Sequence, residues 1–369
     1  AKRVKGSWTM DITADQLRGF TADIFTAAGC NREEGARIAD YLVGANLAGH
    51  PSHGVIRVPR YVGAIRAGKV NPGQKITAVN DTDAIAIVDG HFGFGQTIGE
   101  QAVDLGIEKA RKHGVSVVGI TNVSHLGRIG DWPIRAANAG MVSIHFVNTS
   151  GIGLLVAPFG AAERRMSTNP FAVGVPVQGE EPVILDFATS IVAEGKVMVS
   201  VDGGKPLPED ALVDEEGNLT TDQSVIYGPI TEERPLNSRG GTGAIRAMGE
   251  HKGSGLSIMC ELLAGALSTS GAARPGIEQL SNGMLSIYMD VATFDAGGGF
   301  AEEVKRYLDF ARSAKPINSG APLMMPGDPE RRKRRAYEAN GIPLEDTTWR
   351  SLLETADLVG INRPALDAG

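Results

Sequence analysis

Gly93-Phe94-Gly95-Gln96-Thr97-Ile98-Gly99 is the stretch on which the fold assignment turns. It follows residues 84–88, which read as a strand, and opens residues 97–112, which read as a helix. A glycine turn between strand and helix is the phosphate-binding device of a doubly wound nucleotide fold. The spacing here is G-x-G-x-x-x-G, looser than the usual fingerprint. That fold also needs an acid about 20 residues further on to hold ribose hydroxyls. The next strand, over 115–121, ends instead in Thr121-Asn122. The glycines therefore read as a tight turn that needs small residues, and not as a Rossmann signature.

Working outward, residues 141–147 read as a strand, with a helix over 129–138 before it. Residues 172–177 and 183–186 are short apolar runs joined through Gln178-Gly179-Glu180-Glu181, a spacing that predicts an antiparallel hairpin. Thr13 is placed to cap a helix carrying Leu17, Phe20 and Ile24. Asn31, with Glu34 three residues on, opens a second helix. Pro59 suits the first turn of a third, ending near Gly68. Residues 202–243 are rich in Gly, Pro and acids and read as an irregular excursion. Residues 256–268 read as an apolar helix and 284–291 as a strand. The tail from Glu302 reads as mostly helical.

Composition narrows the classes. Glycine is 48 of 369 residues, but no every-third-residue period makes it collagen-like. The net charge of −7 argues against nucleic acid or an anionic membrane as main partner. No apolar run approaches the roughly 18 residues of a membrane span. Cys30 and Cys260 read as buried thiols in a reducing compartment, and residues 1–10 lack the apolar core of a secretory signal. Both point to a cytoplasmic protein.

The chemistry-bearing residues fall in a few segments. His50-Pro51-Ser52-His53 is followed by Arg57. An imidazole with a pKa near 6.5 both takes and gives a proton, and a guanidinium grips a carboxylate. A base beside a carboxylate clamp is what a 2-hydroxy or 2-oxo acid requires. A metal reading of His50, His53 and Asp186 lacks the H-E-x-x-H pattern or nearby cysteines. Thr121-Asn122-Val123-Ser124-His125 closes a strand, and Ser167-Thr168-Asn169-Pro170 precedes one. Asp186 sits on an apolar strand end, where an acid needs a fixed partner, and orienting a histidine is one such job. Gly249-Glu250-His251-Lys252-Gly253-Ser254-Gly255 reads as a glycine-rich helix start able to cradle phosphate. Arg164 and Arg165 read as surface arginines, with a cofactor 2′-phosphate as the other option. Arg331-Arg332-Lys333-Arg334-Arg335 reads as a solvated helix end.

Taken in order, these segments resemble the malate/L-lactate dehydrogenase family of the non-Rossmann type. The resemblance runs from about Asp11 over nearly the whole chain. It is carried by Ser52-His53-Gly54-Val55-Ile56-Arg57-Val58-Pro59-Arg60-Tyr61, Asn122-Val123-Ser124-His125, Thr168-Asn169-Pro170, Asp186-Phe187-Ala188-Thr189-Ser190, His251-Lys252-Gly253 and Gly341-Ile342-Pro343. Within the family, Asn46-Leu47-Ala48-Gly49-His50 and His125-Leu126-Gly127-Arg128-Ile129-Gly130-Asp131-Trp132 are most like the bacterial hydroxycarboxylate dehydrogenase type.

The resemblance implies an α/β fold with a mostly antiparallel cofactor-binding sheet wrapped by helices. It implies a helical domain from residues 11–115 and 310–369, and a cofactor-binding domain over 116–309. On that fold the βαβ alternation of residues 84–147 points the wrong way. It implies hydride transfer between NAD and a small 2-hydroxy or 2-oxo carboxylate, NADP being the other cofactor, in a homodimer. The active histidine falls on His53 with Ser52 beside it, the orienting acid on Asp186 and the carboxylate clamp on Arg57. His125 matches a site histidine of some members. Cofactor contacts fall on Thr168, Asn169, Pro170, Asp186, Phe187, Ala188, Thr189, Ser190, Lys252, Gly253 and the turn Gly327, Asp328, Pro329. Phe187 stands where many members have Met or a small aliphatic residue. Residues 234–248 depart from the family pattern. An NADPH-dependent cyclic-imine or diketo-acid reductase on the same scaffold is the near rival, and a metal-dependent hydrolase or lyase the distant one.

Overall fold

The computed structural model describes residues 9–150, 153–201, 206–229, 239–277, 279–318, 320 and 322–362. Residues 1–8, 202–205 and 230–238 lie outside the described residues, and with them most of the leader region and part of the excursion discussed above.

The chain opens with β1 (Thr9–Ile12), α1 (Ala14–Ala27), α2 (Arg32–Leu47) and α3 (Val58–Arg66). Thr13 caps α1 in a reciprocal box with Gln16, and Asn31 Oδ1 accepts the Glu34 N–H at 2.8 Å to start α2. There follow β2 (Thr77–Asp81), β3 (Ile85–Gly93), α4 (Gly95–His113), β4 (Val115–Val123), α5 (Asp131–Asn138) and β5 (Met141–Ser150). The hairpin strands β6 (Pro170–Val175) and β7 (Val183–Ala188) pair antiparallel. After α6 (Glu194–Val201), the excursion holds β8 (Leu212–Val213), β9 (Leu219–Thr220) and α7 (Ser224–Tyr227), and β10 (Ala244–Ile245) follows it. Then come α8 (His251–Cys260), a π-helical segment (Glu261–Leu267), β11 (Ser281–Asp290), α9 (Val291–Phe294), α10 (Phe300–Arg312), α11 (Asp328–Asn340), β12 (Ile342–Glu345) and α12 (Asp346–Val359).

The main sheet is mixed, in the order β2-β3-β4-β11-β5-β6-β7. Only β3 and β4 pair in parallel, joined through α4. The alternation over residues 84–147 is real: β3, β4 and β5 all run the same way. It does not make a doubly wound sheet, because β11 inserts antiparallel between β4 and β5. That strand comes from far along the chain, so the local pattern could not announce it. Both its faces are covered. Tyr288 packs on Gly106 of α4, and Gly283 lies against Ala264 of the π-helical segment.

Four apolar clusters form among the described residues. One joins both ends of the chain: Leu17, Ile24 and Leu42 of the first helices pack with Ile342, Leu344 and Leu352. A second fills the space between the sheet and α4 and α5, around Ile98, Val103, Trp132 and Tyr288. The third joins Leu212 and Ile226 of the excursion to Leu155, Val156 and Ile245 outside it, and a small fourth groups Ala157, Val213 and Ala244. The excursion read as irregular thus carries short strands of a small sheet and shares a core with the residues flanking it. Arg164 holds it together, donating to the carbonyls of Arg239, Gly241, Gly243, Val225 and Ile226 at 2.5–3.2 Å. That corrects both readings of Arg164: its guanidinium is a clamp on backbone. The apolar run 256–268 is also not one regular helix, since it changes to π geometry at Glu261.

His145 sits fully buried in β5, with Nδ1 2.8 Å from Ser286 Oγ and Nε2 2.9 Å from Ser143 Oγ. Burial pushes its pKa down to about 3. The unfolded ring takes a proton near pH 6.5, so stability is present above that value and is lost as pH falls toward 3. One such ring removes about 2 kcal/mol by pH 5. Urea midpoints at pH 7.5 and 5.0 should therefore diverge more in the wild type than in His145→Gln. Parallel loss in both proteins would show that this ring is not responsible.

Candidate active site

Asn46, buried near the end of α2, sets the approach to the site. Its Oδ1 accepts the Val55 N–H at 2.8 Å. A Cβ on Gly54 would lie 2.0 Å from that same oxygen, so the position must be glycine. Two short 3-10 turns, Pro51–His53 and Val55–Arg57, are thereby pinned ahead of α3. They carry Ser52, His53 and Arg57. Ser52 Oγ is 3.1 Å from His53 Nδ1. Arg57 Nε donates to the Ser52 carbonyl at 2.6 Å. Among the described residues Arg57 has no carboxylate partner.

His125 arrives from the loop between β4 and α5. Its ring stacks on His53 at 5.6 Å between centroids and 16° between planes. Its Nδ1 lies 2.7 Å from the hydroxyl of Tyr61, on α3. Gly95 makes this possible, because a Cβ there would come within 2.2 Å of the His125 carbonyl oxygen. Gly99 likewise admits the Trp132 ring. The glycine turn therefore lets α4 meet the histidine loop; it serves the site through packing.

Neither histidine is charged at neutral pH. Burial, then Arg57, His50 and Arg128, push His53 down to about 3. Burial, then Arg57, His53 and Arg60, hold His125 well below its ordinary value.

Asp186 takes a different partner from the one expected. Its Oδ2 accepts the Gly130 N–H at 2.7 Å, at the turn into α5, and the hydroxyl on His53 Nδ1 is Ser52's. Burial pushes the Asp186 carboxyl up, against the pull of Arg128 and the Gly130 N–H. Asp186 lines a cavity of about 540 Å³ with His50, Arg128, Ile184, Leu185, Gly327, Pro329, Arg331 and Arg334. His50 Nε2 is 3.0 Å from Glu330 Oε1, across that cavity's wall. Asp328 is held by the Met325 N–H and by Arg331. Arg331 also donates to the Pro182 carbonyl, so the basic run is only partly solvated.

The remaining candidates gather at three neighbouring ends: the start of β6, the end of β7 and the start of α8. The Thr189 hydroxyl donates to the carbonyls of Thr168 and Asn169. Ser190 Oγ donates to the Val192 carbonyl, and Phe187 pairs with Phe171 across the hairpin with Ala188 opposite Pro170. Gly253 admits the Thr189 carbonyl, 2.6 Å from where its Cβ would be. Lys252 beside it is exposed. The side chains of Asn169 and Thr189 are fully buried and used inside the protein, so any ligand contact there is through backbone.

Those segments depend on Glu261, which sequence reading missed. Its carboxylate accepts from Asn169 Nδ2 at 2.8 Å, Asn148 Nδ2 at 2.9 Å and the Ala273 N–H at 2.9 Å. Tyr61, Gln96 and Arg128 were missed as well. An acid inside the apolar run 256–268 was the one available signal for Glu261.

A sequence-family model described as malate/L-lactate dehydrogenase matches residues 12–353. The chain belongs to the malate/L-lactate dehydrogenase family. It is a hydroxyacid dehydrogenase, an oxidoreductase. It is 36% identical over 366 residues to hydroxycarboxylate dehydrogenase B of Escherichia coli strain K12, covering 96% of each chain. It is 31% identical over 360 residues to an L-lactate dehydrogenase of Cupriavidus necator, covering 96% of this chain and 99% of the other. The solved malate dehydrogenase of Pyrococcus horikoshii superposes with a TM-score of 0.84 at 27% identity, over 98% of this chain and 99% of that one. Among the described residues no helix is long and apolar enough to cross a membrane.

Replacing Glu261 by Leu would leave the Ala273 N–H without its acceptor and take one acceptor each from the Asn148 and Asn169 amides, which keep their bonds to Gly271 and Ser257. The expected loss is about 3 kcal/mol or more of unfolding free energy, read from urea melts, with a smaller loss in Glu261→Gln. A Leu variant as stable as wild type would show that these donors do not need the carboxylate.

Proposed function

We propose that this family member oxidises a small 2-hydroxy carboxylate reversibly to its 2-oxo form, with NAD or NADP. One observation carries the reading: two stacked, neutral imidazoles beside a guanidinium that has no carboxylate partner among the described residues. A planar guanidinium holds a substrate carboxylate through two parallel bonds, which sets the C2 hydroxyl beside the rings. Neutral His53 takes the hydroxyl proton through Nε2, while Ser52 Oγ accepts from Nδ1–H and holds that tautomer. On this reading Ser52 does the orienting work that sequence reading gave to Asp186. The seated carboxylate offsets the charge of Arg57, which favours the protonated ring that forms.

The cavity beside this pair fits a nicotinamide dinucleotide chemically. Asp186 offers an acceptor for ribose hydroxyls, Arg128, Arg331 and Arg334 offer cations for phosphate, and Ile184 and Leu185 offer apolar wall. The cavity's lining includes His50, three residues before His53 in the chain, and Arg128, three after His125. Bound there, the cofactor would accept the C2 hydride in oxidation and return it in reduction. The strand ends around Thr168, Thr189 and Gly253 would supply further backbone contacts. The domain division at residues 115 and 310 and a cytoplasmic setting belong to the same reading. A homodimer does too, supported by Ile258, Met259, Leu262 and Leu267 exposed along one helical stretch.

The test follows nicotinamide absorbance while screening 2-hydroxy acids, 2-oxo acids and cyclic imines with both cofactors. Turnover of 2-hydroxy acids is expected, with His53→Ala slower by roughly 10²–10⁴-fold. Arg57→Leu should raise KM for the carboxylate far more than for the cofactor. Near-normal turnover by His53→Ala on every accepted substrate would sink the assignment.

A further inference from the structure

We propose that Tyr61 is a positioning residue that fixes the tautomer of His125, so that His125 offers Nε2–H to the substrate's C2 oxygen and leaves proton transfer to His53. The inference rests on the dehydrogenase reading and deepens it by dividing labour between two histidines that a sequence could not rank.

Tyr61 is buried in the helical core, with its ring against Phe25 and Phe94. Its oxygen has two polar neighbours. His125 Nδ1 is at 2.7 Å, and Gln96 Nε2, on α4, donates to it at 3.4 Å. The short contact could run in either sense, from the phenol to a bare Nδ1 or from Nδ1–H to the phenol. Chemistry favours the first. A neutral imidazole nitrogen is a far better acceptor than a phenol oxygen, and a phenol is a good donor. The Gln96 amide already donates to that oxygen, which leaves the phenol hydrogen for the ring.

The ring must have one bare nitrogen because it is neutral. The titratable and charged groups that face it are His53, Arg57, Arg60 and Tyr61, and no carboxylate among the described residues bonds to it. With Nδ1 accepting, the single proton sits on Nε2. That atom has no hydrogen-bond partner among the described residues, and neither has Nε2 of His53. The two parallel rings therefore present one donor and one acceptor.

The proton balance follows. In oxidation the substrate O–H bond breaks, its proton forms an N–H bond on His53 Nε2, and the C2–H electron pair leaves as hydride to the nicotinamide. The C2=O bond forms while His125 donates to that oxygen and keeps its own proton. Reduction reverses each change.

Two measurements test this. ¹⁵N-resolved histidine spectra of the wild type should show His125 as the Nε2–H tautomer, assigned by its loss in His125→Gln. In Tyr61→Phe the signal should shift toward a mixture of tautomers. The same variant keeps the packed ring, and its kcat should fall by roughly 10- to 100-fold, the scale of a misplaced donor. KM for the carboxylate and for the cofactor should hold, and the pH profile should change shape as a second base becomes available. An Nδ1–H tautomer in the wild type would overturn the proposal, and so would unchanged kcat and pH profile in Tyr61→Phe. The spectra need no turnover, so they decide the point even if Tyr61→Phe does not fold. If no 2-hydroxy acid were turned over, the dehydrogenase reading would fail on its own, whatever the tautomer.

Discussion

The close approach of α4 to the loop that carries His125 governs the site. Gly95 brings helix backbone against the His125 carbonyl, at a distance no other residue allows. That contact places one imidazole over the other. On the far side, Asn46 holds the Val55 N–H and so fixes His53. Neither ring is positioned by its neighbours in sequence alone. Each is the end of a clamp anchored in a different part of the fold, and the stack exists only where the two clamps meet.

Electrostatics then gives the stack its character. Two imidazoles beside Arg57 cannot readily both be charged, and burial makes either charge costly. The result is a pair of neutral rings next to a cation awaiting an anion. On the proposed function, a carboxylate substrate would supply that anion, and its arrival would change the proton affinity of the rings it is meant to use. Binding and acid–base competence would thereby be linked through one guanidinium. Among the described residues the carboxylates near the site are engaged elsewhere: Asp186 with Gly130, Glu330 with His50, Asp131 with Arg128 and Glu194 with Arg239.

Much of the frame was legible from residue order. The caps at Thr13 and Asn31, the β6–β7 hairpin and the rejection of the glycine turn as a nucleotide signature each rest on contacts a few residues long. The segment from Ser52 to Arg57 was legible as chemistry because the base His53 and the clamp Arg57 lie four residues apart. An acid on a strand end demands a partner without saying which, and the partner Asp186 takes here is the Gly130 N–H. Asn169 and Thr189 were read as ligand contacts, yet their side chains are spent on the protein's interior. Arg164 had the same fate, turned inward onto five carbonyls. In each case the residue type was informative and its direction was not.

The sequence by itself determined the helix starts and stops, the sites where only glycine fits a turn, and the presence of an imidazole–guanidinium pair suited to a hydroxy acid. These follow from local geometry and from intrinsic side-chain chemistry. The tertiary structure alone decided that β11 would enter between β4 and β5, that His125 would stack on His53, and that Ser52 rather than Asp186 would face Nδ1. It also decided that Glu261 would gather Asn148 and Asn169. Each of these except the Ser52–His53 contact joins residues tens to more than a hundred positions apart. They form only when burial of the separate cores brings the segments together.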